Sequence, residues 1–316
     1  MSDNQPYNLS EHDINLNDIF ITLWKAKIFI FIITTICSIA AVSYALYLPD
    51  IYKSSSILAP TQQSVEGSRF DGSLSGIASL AGINLPSSEG DITLEATQTL
   101  TSYKFFVENI LPNIYLPNLM AVKSWNRGSN TIIYDDAIFN STNEEWLRAP
   151  KPPRGPKPSN QEAYEAFSKI FTLNINEETL FYTISVEHQS PYIAKEWADL
   201  LIRSINETLR EDKKSRTTLS INYLNKQVAK IGFTEVKTAL AQLIQRETEK
   251  LMTIESNPDY IFKQIDPPIV SELKSKPARA LISIIGFIFG LFLGAIIIIV
   301  RNYSFGVSDQ SQKVNS

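Results

Sequence analysis

The stretch that decides the fold is residues 280–300, ALISIIGFIFGLFLGAIIIIV, near the end of a chain of 316 residues. It contains no Asp, Glu, Lys or Arg, and Ser283 is its only polar side chain. A helix of about 20 apolar residues crosses the hydrocarbon core of a bilayer. An equally apolar helix would fit inside a soluble protein only if that protein had a much larger core. Residues 280–300 therefore predict a transmembrane helix.

A second apolar block, residues 28–48 (IFIFIITTICSIAAVSYALYL), also lacks charged residues. Its Ser and Thr hydroxyls can bond back to helix carbonyls, so they weaken the hydropathy without abolishing it. A cleaved signal peptide would have a shorter apolar run close to the N-terminus, whereas this block follows 27 mixed residues. The block therefore predicts a second transmembrane helix, a signal anchor.

The two predicted spans divide the sequence into residues 1–27, 28–48, 49–279, 280–300 and 301–316. Both tails must lie on one side of the membrane, because two spans return the chain to the side where it began. The charged residues beside the spans do not identify which side this is, because three cations flank the spans on each side. The tail side has Lys25, Lys27 and Arg301, and the middle segment has Lys274, Lys276 and Arg279. The length of the middle segment also weakens the positive-inside rule.

Three glycines recur every four residues in the later span: Gly286, Gly290 and Gly294. This spacing places them on one helix face, where the missing side chains let a neighbouring helix approach closely. The sequence therefore predicts a helix contact at this face. The neighbour is either the other span or another subunit.

The middle segment, residues 49–279, combines strand and helix patterns. Strands are predicted at 52–58, 170–175 and 180–187, the last from alternating apolar and polar residues. Ser190 and Pro191 then predict the N-cap and first residue of an amphipathic helix, and residues 94–111 predict another. A sheet backed by helices gives an α+β domain.

A long helical pattern covers residues 213–256, which would extend roughly 65 Å if straight. We expect this helix to project from the sheet unless Gly232 bends or breaks it. Such a helix needs partners along its length, and oligomerisation supplies them most simply. Leu240, Leu243 and Leu251 are the candidate oligomer contacts. The Gly- and Ser-rich residues 60–92 and the proline-rich residues 149–159 are predicted to be irregular, and the apolar centre of the first, 77–85, is predicted to dock on a neighbour.

The composition argues against nucleic-acid binding, metal binding and catalysis. The chain has 29 basic and 33 acidic residues, a formal net charge of −4, two histidines and the single cysteine Cys37. We therefore expect no nucleic-acid binding, no metal site and no conventional histidine relay. No phosphate-cradling GxxxxGK[ST] sequence is present. We expect no cofactor, no catalytic residue and no enzyme activity.

Two local features of the sequence are candidate sites. Glu187, His188 and Ser190 superficially resemble a catalytic group, but their place at a strand-to-helix junction favours a capping or surface role. The cations between Arg210 and Arg216 favour a solvated helix face. The alternative is that this cluster of cations contacts an anionic saccharide.

Several strings resemble the Wzz-type chain-length determinants, also called polysaccharide co-polymerases, of bacterial cell envelopes. They are 13–18 (DINLND), 23–25 (LWK), 49–52 (PDIY), 187–191 (EHQSP), 260–268 (YIFKQIDPP) and 276–279 (KPAR). The most specific is the proline-rich approach to the later span, with Pro267, Pro268 and Pro277. The resemblance covers nearly the entire chain.

The resemblance implies a bacterial inner-membrane protein with both tails cytoplasmic and a periplasmic α+β domain with a long projecting helix between two transmembrane helices. It further implies a homo-oligomeric ring that sets how many repeat units a Wzy-type polymerase adds to a lipid-linked polysaccharide. Lipopolysaccharide O-antigen is the favoured glycan. The alternative is a membrane activator of a bacterial tyrosine kinase in capsule or exopolysaccharide export. That reading is disfavoured because the C-terminal tail has Tyr303 but no tyrosine cluster.

Overall fold

The computed structural model describes residues 23–61 and 92–313, with side chains described as far as Arg301. The string at 13–18 and the docking segment 77–85 lie outside the described residues. The described chain forms two units. One comprises the segments up to Pro49 and from Lys276 onward, and the other comprises Asp50–Ser275.

The first unit contains two apolar helices, α1 (Lys27–Tyr47) and α8 (Arg279–Lys313). Both are long and apolar enough to cross a membrane. The first agrees with the predicted block to within one residue at each end. The second begins where predicted but continues past Val300 to Lys313. Within α1, the hydroxyls of Thr34 and Ser38 donate to the carbonyls four residues earlier, as expected for polar side chains in an apolar helix.

The second unit has fourteen described α-helices and strands, in addition to a short π-helix, Phe106–Ile110, and a short 3-10 helix, Leu111–Asn113. The helices are α2 (Ile92–Leu100), α3 (Tyr103–Phe105), α4 (Leu116–Met120), α5 (Asn160–Ile170), α6 (Pro191–Val228) and α7 (Thr234–Ser256). The strands of the main sheet are β1 (Tyr52–Pro60), β6 (Phe171–Ile175), β7 (Tyr182–His188) and β8 (Phe262–Asp266). Two small hairpins pair β2 (Val122–Asn126) with β3 (Thr131–Tyr134) and β4 (Phe139–Asn140) with β5 (Glu145–Trp146).

The main sheet is antiparallel throughout, in the order β6-β7-β1-β8. The predicted strands at 52–58, 170–175 and 180–187 are confirmed. β8 was not predicted, because its sequence FKQID shows no apolar alternation and only Phe262 is buried. Alternate residues of β1 are buried, and they include Ser54 and Ser56. Both hydroxyls are satisfied, since they donate to the carbonyls of Ile269 and Asp266 at 2.7 Å.

One buried amide joins helix α6 to strand β8. The side chain of Asn206 donates to the carbonyl of Phe262 at 2.9 Å. Its oxygen accepts from the backbone N–H groups of Ile261 at 3.2 Å and Phe262 at 2.9 Å. Three buried backbone groups at the start of the strand are thereby satisfied by one side chain, which fixes the register of the helix on the sheet.

The predicted helix 94–111 is wrong as a single helix. The chain turns at Thr101, and Ser102 begins a new helical segment because its hydroxyl accepts from the N–H of Phe105 at 3.1 Å. A serine that bonds to the backbone in this way favours an N-cap over a helix interior. The apolar pattern on both sides of Ser102 is nevertheless buried in the core.

The long helical pattern is divided. Helix α6 runs without a break from Pro191 through the start of the predicted long helix, over about 57 Å. The chain then turns at residues 229–233, which include Gly232, and α7 returns antiparallel along α6. Near the turn Leu224 packs on Leu240, and near the sheet Lys214 pairs with Glu255 at 3.0 Å. A continuous helix over 213–256 is therefore wrong, and the break at Gly232 is the outcome that occurs.

The proline-rich segment 149–159 is held by an ion pair that the sequence did not reveal. Arg148 donates to both carboxylate oxygens of Glu162, at 2.7 and 2.8 Å, and also to the carbonyls of Gly155 and Pro156. Glu162 also accepts from the backbone N–H of Ser159 in a capping box that starts helix α5. The Glu162 side chain is only 7% exposed. The Arg148 and Ser159 bonds hold the pKa of Glu162 at about 2, below its ordinary 4.5.

Replacing Asn206 by Leu should destabilise the second unit, because three backbone groups lose their partner. We expect a cost of about 3 kcal/mol, which corresponds to a fall in Tm of roughly 6–12 °C. Thermal unfolding of the full chain in detergent, followed by circular dichroism, measures this. Asn222→Leu is the matched control, since Asn222 is exposed on the same helix. Equal Tm values for the two variants would contradict this role of the Asn206 side chain.

The Glu162 ion pair should make stability depend on acid pH. Since its pKa is lower in the folded chain, its stabilisation is fully present above about pH 4.5 and is lost as pH falls towards 2. We expect Glu162→Gln to have a lower Tm than the parent at pH 6 and to lose less Tm than the parent between pH 5 and 3. Glu165→Gln, three residues later and half-exposed, should keep the parental pH profile. A parental profile in Glu162→Gln would refute this assignment.

Candidate functional site

The glycine face of α8 lies directly against α1. A Cβ added at Gly286 would meet Ala41. At Gly290 it would lie 2.8 Å from the Cβ of Cys37 and 2.9 Å from the Cα of Thr34. These separations are shorter than van der Waals contact, so no side chain fits there without moving the helices apart.

The third glycine continues the same contact. A Cβ at Gly294 would lie 3.2 Å from the Cα of Ile30. At the other end of the helix pair, Arg279 donates through Nε to the carbonyl of Ala45 at 3.1 Å. Between the two choices that the sequence left open, the structure places this face on the other span of the same chain.

The remaining faces of the two helices carry large apolar side chains that point outward. The largest exposed ones include Phe31, Phe287, Phe289, Phe292 and Ile36. An exposed apolar surface of this size suits a lipid or a further helix and does not suit water. These bulky faces, and not the glycine face, are therefore open to contact with lipid or with a further helix.

The proline-rich approach to α8 lies alongside β1. Pro267 is exposed and Pro268 is buried. Ser275 donates its N–H to the carbonyl of Ile51 at 2.8 Å, so this segment continues the pairing along β1 beyond β8. Pro277, two residues later and half-buried, precedes α8.

The three leucines predicted as oligomer contacts differ in exposure. Leu240 is 2% exposed and packs on Leu224 within the hairpin of α6 and α7. Leu243 is partly buried against the same cluster, and Leu251 is also partly buried. The larger exposed apolar side chains on this hairpin belong to residues that the sequence analysis did not single out: Leu219, Tyr223, Phe233 and Met252.

The cation cluster on α6 is neutralised by its own chain. Each cation has a carboxylate partner: Arg210 with Glu207, Lys213 with Glu95, Lys214 with Glu255, and Arg216 with Asp212. Lys213 is buried, and its partner lies on α2. These pairs join three helices, so the cluster serves packing and is poorly suited to holding an anionic saccharide.

His188 is buried and serves as a structural link. Its Nε2 lies 2.9 Å from the carbonyl of Asn118, and its Nδ1 accepts from the N–H of Ser190 at 2.9 Å. Burial lowers the pKa of His188, so the ring is neutral and donates through Nε2. A surface position for His188 is therefore wrong, because the ring is buried. The bond from Ser190 agrees with the capping role at the start of α6, and the bond to Asn118 joins α4 to the junction of β7 and α6.

Among the described residues, no group of three His, Cys, Asp or Glu side chains could hold a metal ion. The sequence analysis missed the surface of α1 that receives the glycines. A signal for it was present, because Thr34, Cys37 and Ala41 are small residues spaced three and four apart on one helix face.

The single native cysteine offers a direct test of the glycine contact. In a Gly290→Cys variant the new Cβ would start 2.8 Å from the Cβ of Cys37. A separation of the helices by about 1 Å brings the two Cβ atoms to the disulfide spacing of about 3.8 Å, so mild oxidation should give a disulfide within one chain. After proteolysis between the spans, the two fragments should stay linked on a non-reducing gel. Phe289→Cys, whose side chain is exposed on the same helix, should not form this link. Disulfides found only between separate chains would contradict the contact.

The family model Wzz, described as chain length determinant protein, matches residues 12–113. No curated protein matches the chain. A solved structure described as a full-length bacterial polysaccharide co-polymerase is 14% identical, with 92% of this chain and 99% of that chain covered and a TM-score of 0.38.

A second solved structure is described as a fragment of WzzB, a polysaccharide co-polymerase from Salmonella Typhimurium. It is 12% identical, with 72% of this chain and 100% of that chain covered and a TM-score of 0.28. The resemblance predicted from the sequence is confirmed by the family model: over residues 12–113, this chain matches the Wzz family of chain length determinants.

Proposed function

We propose that this protein regulates the chain length of a bacterial surface polysaccharide. The observation that carries the proposal is the match of residues 12–113 to the chain length determinant model. The two apolar helices and the domain between them support a two-span protein of the bacterial inner membrane. Both tails then lie in the cytoplasm and Asp50–Ser275 lies in the periplasm.

Regulation in this proposal acts through assembly. Because α1 fills the glycine face of α8, the two helices form one unit whose outer faces are bulky and apolar. Copies of this unit associate through those faces into a homo-oligomeric ring. The hairpin of α6 and α7 adds contacts through Leu243, Leu251 and exposed residues such as Phe233, while Leu240 supports the hairpin itself.

The partner of the assembly is a Wzy-type polymerase acting on a lipid-linked polysaccharide, with lipopolysaccharide O-antigen as the first glycan to test. A regulator is proposed in preference to an enzyme, because the cation cluster on α6, a candidate saccharide site, is already paired with carboxylates of α2, α6 and α7. The protein then limits how long the polymerase keeps adding repeat units, and the chemistry belongs to the polymerase.

The decisive experiment compares surface glycans from the source bacterium, a deletion strain and a complemented strain on polyacrylamide gels. We expect a modal ladder that becomes random on deletion and recovers on complementation. Complementation by Gly290→Leu should fail to restore the mode, because its side chain forces α8 away from α1. Phe289→Leu, exposed on the same helix, should restore it.

Two results would contradict the proposal, one its chain-length regulation and the other its helix contact. An unchanged lipopolysaccharide ladder, together with loss of capsule or exopolysaccharide or with altered tyrosine phosphorylation, would favour the kinase-activator function. A normal mode from Gly290→Leu, expressed at the parental level, would remove the helix contact from the mechanism.

A further inference from the structure

The two linkers to the membrane helices leave the Asp50–Ser275 unit side by side. The first begins before Asp50 and the second after Ser275. The N–H of Ser275 donates to the carbonyl of Ile51, and Lys274 pairs with Asp50 at 3.0 Å. One edge of this unit, at the start of β1, therefore carries both connections.

The same edge exposes apolar side chains that the unit does not cover. Leu273 is 81% exposed and Ile269 is 65% exposed, both on the segment that runs beside β1. Isolated surface apolar residues are ordinary, but two strongly exposed ones on one short segment are less so.

An aromatic group is centred on Trp125 of β2. Its ring packs edge-on to Tyr52 at 5.4 Å, and the ring of Tyr192, which is half-exposed, lies 6.3 Å away on the other side. Tyr52 is the first residue of β1. Tyr52 is itself buried and supports Trp125, so the accessible surface that we call the linker edge consists of Leu273, Ile269, Trp125 and Tyr192.

Chain length keeps the linker edge within reach of a bilayer. Tyr52 follows the last residue of α1 by five positions, so it lies within about 18 Å of that helix end, and Leu273 precedes Arg279 by six, within about 21 Å. These are upper limits for extended chain. The polar headgroup layer is itself roughly 5–8 Å thick on each side of the hydrocarbon.

The chemistry of the linker edge matches that layer. Tyr and Trp favour the membrane–water interface because their rings are apolar and their polar atoms stay hydrated. Exposed Leu and Ile side chains gain by entering the upper acyl region. Arg127, exposed two residues after Trp125, adds a cation suited to phosphate. Asp50 is neutralised by Lys274, and Glu272 is an exposed acidic residue on the same segment as Leu273.

We propose that the linker edge is a lipid-binding surface that rests on the headgroup layer of the bilayer. The inference depends on the two-span placement given under Proposed function. In this arrangement the domain is fixed at its base by lipid contacts as well as by its two linkers, and its orientation to the membrane is restricted.

The test uses the full chain with Cys37→Ser and one new cysteine carrying an environment-sensitive nitrobenzoxadiazole label. The protein is reconstituted in nanodiscs of phosphatidylethanolamine and phosphatidylglycerol, with or without bromine in the upper acyl chains. Leu273→Cys and Ile269→Cys report on the linker edge. Phe31→Cys, exposed on α1, reports on the span, and Phe233→Cys, exposed at the hairpin turn, is the matched control outside the membrane.

We expect the Leu273 and Ile269 labels to emit at shorter wavelength and to be quenched about twofold or more by brominated lipid, as the Phe31 label is. The Phe233 label should show neither effect. A quenched Phe31 label with unquenched Leu273 and Ile269 labels would overturn the lipid contact while leaving the spans in place. Shielding of those two labels without quenching would assign the edge to a second protein copy. An unquenched Phe31 label would overturn the two-span placement and this inference together.

Discussion

The pairing of β1 on both of its edges is the constraint on which the domain depends. β7 pairs with one edge over seven residues, from Tyr52 to Leu58. β8 and the segment after it pair with the other edge, as far as Ser275. Because β1 starts just after α1 and the segment to Ser275 stops just before α8, this pairing joins the first and last parts of the domain. The two linkers therefore lie together through backbone hydrogen bonds that are independent of the membrane.

Helix α6 carries this arrangement outward in two stages. Its first half packs on the sheet through Trp197, Leu201 and Ile205, and Asn206 fixes it to β8. Its second half leaves that core and is stabilised by α7 around Leu224 and Leu240. A 38-residue helix that was buried only at one end would lose its far turns to solvent. The returning helix supplies the partner that we first expected from oligomerisation, so part of that argument no longer requires another subunit.

The sequence predicted those elements whose signal is local. Alternation along β7 and the Ser190–Pro191 start of α6 are such signals, and both are confirmed. Capping by Ser102 is also local, but it competes with an apolar helical pattern that remains favourable on either side. β8 is mostly polar, and its position in the sheet depends on Asn206. This residue lies 56 positions before Phe262, the first residue of the strand. The carboxylate partners of Lys213 and Lys214 lie on helices distant in sequence. The sequence alone therefore shows a cluster of like charges, whereas the fold forms ion pairs there.

The glycine spacing shows how a local inference can leave its partner undecided. Three glycines on one face predict a close helix neighbour whichever chain supplies it. The structure fills the groove with Ile30, Thr34, Cys37 and Ala41 of the same chain. A filled groove cannot serve a second helix, because close packing leaves no room for both. In the ring proposed above, subunits would then associate through the bulky outer faces of the two helices. A change at Gly290 should therefore separate the two helices of one chain before it weakens the association of different chains.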